Sequence, residues 1–191
     1  MNLSFLFNKD KKEEMGVSMI LKKGKEDPFF GEQYKALKAK FEYKADMLKL
    51  KVVGVTSAIA GEGKTLTAIQ VAANIASTGR KKVLLVDMDL RNSSIARELG
   101  IASNPGLSDF LSGSVPKEKI LRNSVVPGLS VIVGGKAILS PTDMLAGERF
   151  RSLLRGLREE FDLAILDTPP ILPVPDAVTI SEQVDAFILL F

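Results

Sequence analysis

Short apolar runs alternate along this chain with longer stretches in which apolar residues recur every three or four positions. The runs at 52–55, 83–86, 129–133, 163–166 and 186–191 predict five strands buried on both faces, since a strand with one wet face would alternate apolar with polar. The first of these strands is expected over 51–56. Helical spacing predicts helices over 64–77, 93–99 and about 147–160, the last with Phe150, Leu153, Leu154 and Leu157 inward, and a short element over 107–111. Upstream, Phe30, Tyr34, Leu37, Phe41, Ala45 and Leu48 predict a helix with one face laid on the body of the domain, Tyr34 packing on that face. Strands alternating with helices describe an α/β fold in three layers, a mostly parallel central sheet with helices on both faces. Ligands of such sheets lie at the carboxyl ends of the strands.

The apolar share of 46% over 191 residues suits one domain with a substantial core, expected over 29–191. A flexible charged segment is expected over 1–28, interrupted by Gly16, Gly24 and Pro28. Because the chain stops inside an apolar run, a domain truncated at its C-terminus is expected. Cysteine and histidine are both absent, so disulfides, thiolate metal sites and imidazole chemistry are excluded. Acid–base work falls to carboxylates, lysines or tyrosines. The first 51 residues hold twelve lysines against eight acids, which outweighs the +3 of the whole chain. That excess does not argue for a nucleic-acid partner, and none is expected. No apolar run has the length of a membrane span, and the start lacks a signal peptide's apolar stretch, so a cytoplasmic chain is expected. Phe5, Leu6 and Phe7, followed by Lys9, Lys11 and Lys12, read as a poorly ordered tail rather than a membrane-touching segment.

The chemistry begins after the first strand. Ala58-Ile59-Ala60-Gly61-Glu62-Gly63-Lys64-Thr65 reads as a phosphate-binding loop opening a helix, with Ala58 standing where the usual pattern has its first glycine. Gly61 and Gly63 let successive backbone N–H groups face phosphate oxygens, and the helix start adds its positive end. Lys64 is expected to reach the β- and γ-phosphates and the Thr65 hydroxyl to ligate Mg²⁺. Ala60, Gly61, Glu62, Gly63, Lys64, Thr65 and Leu66 form the stretch expected to bind ATP, with Arg91 as a further nucleotide contact. Carboxylates follow two strands, Asp87 and Asp89 the second and Asp167 the fourth, where acids that hold Mg²⁺ or its waters are placed. Should the strand run on through Asp87 and Asp89, only one of the two is expected to face the ion, unless the chain turns at Met88.

Val83-Leu84-Leu85-Val86-Asp87-Met88-Asp89-Leu90-Arg91 and Ala164-Ile165-Leu166-Asp167-Thr168-Pro169-Pro170 resemble the second and third nucleotide motifs of the bacterial tyrosine kinases, cytoplasmic P-loop ATPase modules that govern capsule and exopolysaccharide export. Thr56-Ser57 with Gly61 to Thr65 is similar to the first motif. The segments 104–113 and 140–145 resemble others in the family's order. The resemblance implies a P-loop NTPase-type fold and an autophosphorylating, MgATP-dependent protein tyrosine kinase. It implies that Lys64 stabilises the migrating phosphoryl charge, that Thr65, Asp87 and Asp167 serve Mg²⁺, and that Asp89 or Asp87 accepts the tyrosine proton. Protein tyrosine substrates, a transmembrane polysaccharide co-polymerase as activating partner, and a place at the inner face of the plasma membrane follow from the same resemblance. The Met1 start with no preceding span suggests the separate-chain version of such systems. Glu32, Lys35 and Lys38, by pattern a solvated face, stand where the family bridges subunits in a ring with Glu-x-x-Arg-x-x-Arg. Lysine lacks arginine's two-pronged geometry at both positions. The tyrosine-rich tail of autophosphorylating members has no counterpart, for Tyr34 and Tyr43 are the only tyrosines. Two other readings compete: a switch ATPase of the division-site and DNA-segregation kind, against which Ile59 stands at the position of an additional loop lysine, and a nucleotide-binding adaptor without transfer.

Overall fold

A computed structural model of the chain describes residues 28–191, without the side chains of 28–31, 33 and 34. All but Pro28 of the expected flexible segment over 1–28, with its Phe5 to Phe7 tail, and the packing of Tyr34 lie outside the described residues; Pro28 opens the first helix. The chain runs through α1 (Pro28–Met47), β1 (Val52–Ser57), α2 (Lys64–Ala76), β2 (Val83–Asp87), α3 (Ile95–Leu99), α4 (Leu107–Leu111), a 3₁₀ turn (Lys117–Lys119), β3 (Arg122–Asn123) and β4 (Leu129–Ile132). It continues through α5 (Thr142–Ala146), α6 (Glu148–Glu160), β5 (Leu163–Asp167), α7 (Asp176–Ser181) and β6 (Ala186–Leu190). The six strands form one sheet in the order β3-β4-β2-β5-β1-β6, parallel except for β3.

Alternation along the parallel strands divides the core in two. Val53, Val55, Val83, Leu85, Val131 and Ile165 face one side, where they meet Phe41 and Ala45 of α1, the inner face of α2, and Ile95 and Leu99 of α3. Val52, Leu84, Val86, Ile132, Ala164 and Leu166 face the other, against Leu107, Leu145, Phe150, Leu153, Leu154, Leu157 and Ile180 from α4, α5, α6 and α7. This is the expected three-layer sandwich, and it explains why the strands read as continuous apolar runs. Burying each large side chain contributes about 1.5–3 kcal/mol, enough to carry the polar groups gathered at one end of the sheet. That end is set by register: Asp87 and Asp167 are directly paired at the carboxyl ends of adjacent strands, with β1 ending beside them.

Three short elements escape the sequence pattern. β3 is two polar residues paired antiparallel to Ser130 and Val131, and α5 and α7 span five and six residues, fewer than two helical turns. The strand at Asp87 does not run on in register through Asp89, yet the expectation that only one of the two carboxylates can face the site is corrected. Positions two apart lie on the same side of an extended chain, and the Asp89 N–H donates to Asp87 Oδ1 at 3.3 Å. Among the described residues no helix is long and apolar enough to cross a membrane.

Gly106 marks where α4 closes on the loop after β4. The Leu107 and Ser108 N–H groups donate to Val133 and Gly134 carbonyls at 2.8 and 2.9 Å. A methyl on Gly106 would lie 2.3 Å from the Gly135 nitrogen and 2.5 Å from the Val133 oxygen, both backbone atoms. Its backbone is extended (φ −141°), so space and not conformation demands glycine here. Gly106→Ala is expected to cost about 1–3 kcal/mol, read as a lowered urea midpoint.

Candidate nucleotide site

Of the loop expected at 58–65, residues 58–63 join β1 to α2, and Lys64 and Thr65 open the helix. Gly61 (φ 90°) and Gly63 (φ 84°) both sit in the left-handed region, where a side chain is strained, although nothing lies within 4 Å of either position. Backbone geometry therefore demands these two glycines, and the space beside them stays open. The loop holds itself: the Ser57 hydroxyl donates to the Ile59 carbonyl at 2.7 Å, and the Ile59 N–H donates to Glu62 Oε2 at 3.1 Å. No side chain caps α2, so its first N–H groups and the positive end of its dipole face the loop opening.

Lys64 and Thr65 point from the first turn of α2 toward the carboxylates. Lys64 Nζ lies 3.3 Å from Asp89 Oδ2, with both side chains largely buried. The Thr65 hydroxyl lies 3.2 Å from that of Ser94. Asp89 Oδ1 accepts the Asn92 N–H at 3.0 Å, closing a turn just past β2. Asp87 is fully buried and heavily engaged: Oδ2 accepts the Ser93 hydroxyl at 2.7 Å and the Ser94 and Ile95 N–H groups at 3.0 Å each, so it caps α3 from a distance. Burial pushes its carboxyl above the ordinary range, opposed by those hydrogen bonds and aided by the charge of Asp89.

Asp167 is different. It is also fully buried, yet neither of its carboxylate oxygens has a well-formed hydrogen-bond partner, the Thr65 hydroxyl lying near enough only to pull on its charge. Burial first, and then the Asp87 charge beside it, raise its carboxyl to about 7, against the pull of the Thr65 hydroxyl and the Lys64 ammonium. A buried acceptor without a partner costs about 1–3 kcal/mol, more for a charge, and calls for an explanation in function.

Of the residues singled out from sequence, Gly61, Gly63, Lys64, Thr65, Asp87, Asp89 and Asp167 lie together at this end of the sheet. Ala60 is exposed on the loop, Glu62 turns inward to brace it, and Leu66 packs half-buried on the core. Arg91 is turned elsewhere, its guanidinium gripping the buried Asp176 and the Leu139 carbonyl. Glu32 and Lys35 pair with each other along α1 at 2.8 Å in full exposure, while Lys38 reaches Glu42 at 4.0 Å. Sequence reasoning missed Ser93, Ser94, Thr142 and Asp176. The serines had a signal, since two hydroxyl residues directly before an apolar helix start are a capping pattern.

The fold and this site define a P-loop ATPase of the AAA-domain class, and the family described as AAA domain matches residues 50–186. The chain is 39% identical over 163 residues to tyrosine-protein kinase CpsD of Streptococcus pneumoniae serotype 4, covering 83% of this chain and 69% of that protein. It is 30% identical over 172 residues to tyrosine-protein kinase ptk of Acinetobacter johnsonii, covering 85% of this chain but only 23% of the length of that relative. The kinase domain of Escherichia coli tyrosine kinase ETK superposes with a TM-score of 0.79 at 30% identity, covering 83% of this chain and 62% of that one. A septum site-determining protein MinD of Pyrococcus horikoshii, solved with Mg-ADP, shares the fold at a TM-score of 0.60 and 22% identity, covering 73% of this chain and 57% of that one. The chain belongs to the bacterial tyrosine-protein kinase family.

The raised carboxyl of Asp167 has a consequence for stability. A carboxyl that is harder to ionise folded than unfolded favours the native state at low pH, and that advantage is lost as pH climbs from its ordinary value near 3.8 to about 7. The loss has a slope of at most about 1.4 kcal/mol per pH unit. Asp167→Asn removes this dependence. In nucleotide-free protein the variant is expected to gain on the wild type between pH 4 and 7 and to hold its gain above 7, measured by urea midpoints at each pH.

Proposed function

We propose that this chain is a MgATP-dependent protein tyrosine kinase of the autophosphorylating type, acting in capsular or exopolysaccharide chain-length control and export. The observation that carries the reading is the buried, unpartnered Asp167 carboxylate beside Lys64, Thr65 and Asp87, at the mouth of a glycine loop with room for phosphates. Kinship with the named tyrosine-protein kinases supplies the acceptor.

In this reading Gly61, Gly63 and the start of α2 cradle the phosphates, with Ala60, Glu62 and Leu66 completing the stretch. Thr65 and Asp167 would hold Mg²⁺, with Asp87 reaching its waters, since Asp87 Oδ2 already accepts three hydrogen bonds. Among the described residues no group of three or more acids makes a ready cage, which suits an ion that takes few protein ligands and shares its other positions with phosphates and water. When bound, the ion neutralises charge on the β- and γ-phosphate oxygens. Lys64 stabilises the phosphoryl group in transit, by charge and by position. A triphosphate in the cradle competes with Asp89 for the Lys64 ammonium. Its arrival frees Asp89 Oδ2 to accept a tyrosine hydroxyl proton, a task for which Asp87 is too deeply buried and too fully bonded. A transmembrane co-polymerase is the activating partner and holds the chain at the inner face of the plasma membrane. Copies of the chain meet through the α1 face bearing Glu32, Lys35 and Lys38.

The test is incubation of the full-length protein with labelled ATP and Mg²⁺, alone and with the cytoplasmic tail of the partner. Phosphotyrosine is expected, and Lys64→Met should lower its formation by about 100-fold or more. Free phosphate with no phosphotyrosine in either condition overturns the kinase in favour of a switch ATPase, and binding without turnover leaves an adaptor.

A further inference from the structure

Arg91 carries a cation two residues beyond Asp89, yet it does not face the loop. Its Nε donates to Asp176 Oδ2 at 2.6 Å and its Nη2 to Asp176 Oδ1 at 3.2 Å, a two-pronged pair, while Nη1 donates to the Leu139 carbonyl. Asp176 is the first residue of α7 and only 1% exposed, and its Oδ1 also accepts the hydroxyl of Thr142, the first residue of α5, at 2.6 Å. Burial works against the Asp176 charge, but the hydrogen bonds from Arg91 and Thr142 and the Arg91 charge hold the carboxyl below its ordinary range. The pair is thus an ion pair that stays charged. Between Asp89 and Arg91, Leu90 is buried in the core and its carbonyl accepts the Ile138 N–H at 2.9 Å. Three loops from the carboxyl ends of β2, β4 and β5 therefore meet at one guanidinium.

We infer that Arg91 and Asp176 are positioning residues of the phosphoryl-transfer site: their ion pair latches the segment carrying Asp89 to the starts of α5 and α7, and so holds the Asp89 carboxylate at Lys64. This rests on the reading that the chain transfers phosphate from MgATP. The turn at 89–92 has only the Asn92 N–H to close it, bonded to the Asp89 carbonyl and to Asp89 Oδ1; Asn92 itself is exposed, and Ser93 after it is half-buried. Apart from the latch, the segment is held by the burial of Leu90, the bond of its carbonyl to Ile138 and the Asp89 N–H bond to Asp87, and none of these ties it to α5 or α7. A displacement of about 1 Å at such a group costs on the order of 100-fold in rate while leaving substrate affinity alone, because affinity is set by the loop and α2. The two-pronged geometry matters as much as the charge, so lysine does not replace Arg91.

The test compares the wild type with Arg91→Ala, Arg91→Lys, Asp176→Asn and the double variant Arg91→Ala/Asp176→Asn. Three readouts are taken: kcat for phosphotyrosine formation, equilibrium binding of MgATP, and amide hydrogen exchange of the nucleotide-free chain. Each single variant should lose about tenfold or more in kcat and keep its MgATP affinity within about twofold. Arg91→Lys should be as impaired as Arg91→Ala, and the double variant should be no worse than the poorer single one, since both break one contact. The Asn92 amide should exchange faster in every variant while the amides of β2 do not, which separates release of the turn from general unfolding. An Arg91→Ala variant that binds MgATP about tenfold more weakly beside an Asp176→Asn variant that binds normally would make Arg91 a direct nucleotide ligand and overturn the latch. Unchanged exchange at Asn92, or kcat losses that add, overturn it equally. If the wild type binds MgATP but transfers no phosphate, the kinase reading fails, and the exchange data alone decide whether the latch exists.

Discussion

Two carboxylates buried side by side at the ends of neighbouring parallel strands are the constraint on which this site rests. Asp87 and Asp167 are register partners, and neither has any exposed surface. Like charges in that position raise each other's cost of ionisation, and the structure treats the two unequally. The Asp87 carboxylate receives four hydrogen bonds, counting the Asp89 N–H, whereas that of Asp167 receives no well-formed one. One acid is thereby fixed in place and made structural to α3. The other is left with open lone pairs near Lys64 and Thr65, and only a cation or a proton relieves it.

Around that pair the fold works as a support that keeps every flexible part short. The parallel sheet brings the ends of β1, β2 and β5 to one edge, and both core layers lock the strands so that the acids cannot drift apart. β1 needs Gly54 for this, because the Phe187 ring of β6 lies across it and a methyl there would come within 2.2 Å of the ring. Lys64 and Thr65 come from the first turn of a helix whose body is buried, so their backbones are as rigid as the core. The loops after β2, β4 and β5 meet at the Arg91 guanidinium, which ties all three.

What the sequence disclosed and what it hid follow from how far apart the interacting residues lie. Gly61, Gly63, Lys64 and Thr65 were legible because their chemistry is local: a glycine forced to positive φ and a helix start are properties of eight consecutive residues. The strands were legible because burial on both faces leaves an unbroken apolar run. Asp87 and Asp167 were placed by the rule that ligands sit at carboxyl strand ends, although nothing in the sequence says that they are paired in register. Arg91 shows the limit. Its position in a motif suggested a nucleotide contact, but the partner that claims its guanidinium is 85 residues away, at the start of a helix too short for periodicity to announce. Asp89 was misjudged for a plainer reason, since residues two apart on an extended chain share a face.

The unequal treatment of the two acids ties stability to occupancy. Each orphaned lone pair on Asp167 is a cost that the core must offset in the empty chain and that a bound cation would remove. Ligand that binds only the folded state adds stability in proportion to the logarithm of its concentration over its dissociation constant. A site that begins with an unsatisfied buried charge has more to gain from occupancy than one already at rest. The same imbalance shows in the nucleotide-free chain: Asp87 with α3, the Arg91–Asp176 pair and the glycine loop are already formed, whereas the Asp167 carboxylate has no well-formed partner. Charges and dipoles fixed in advance by the fold are what electrostatic stabilisation of a phosphoryl group in transit requires.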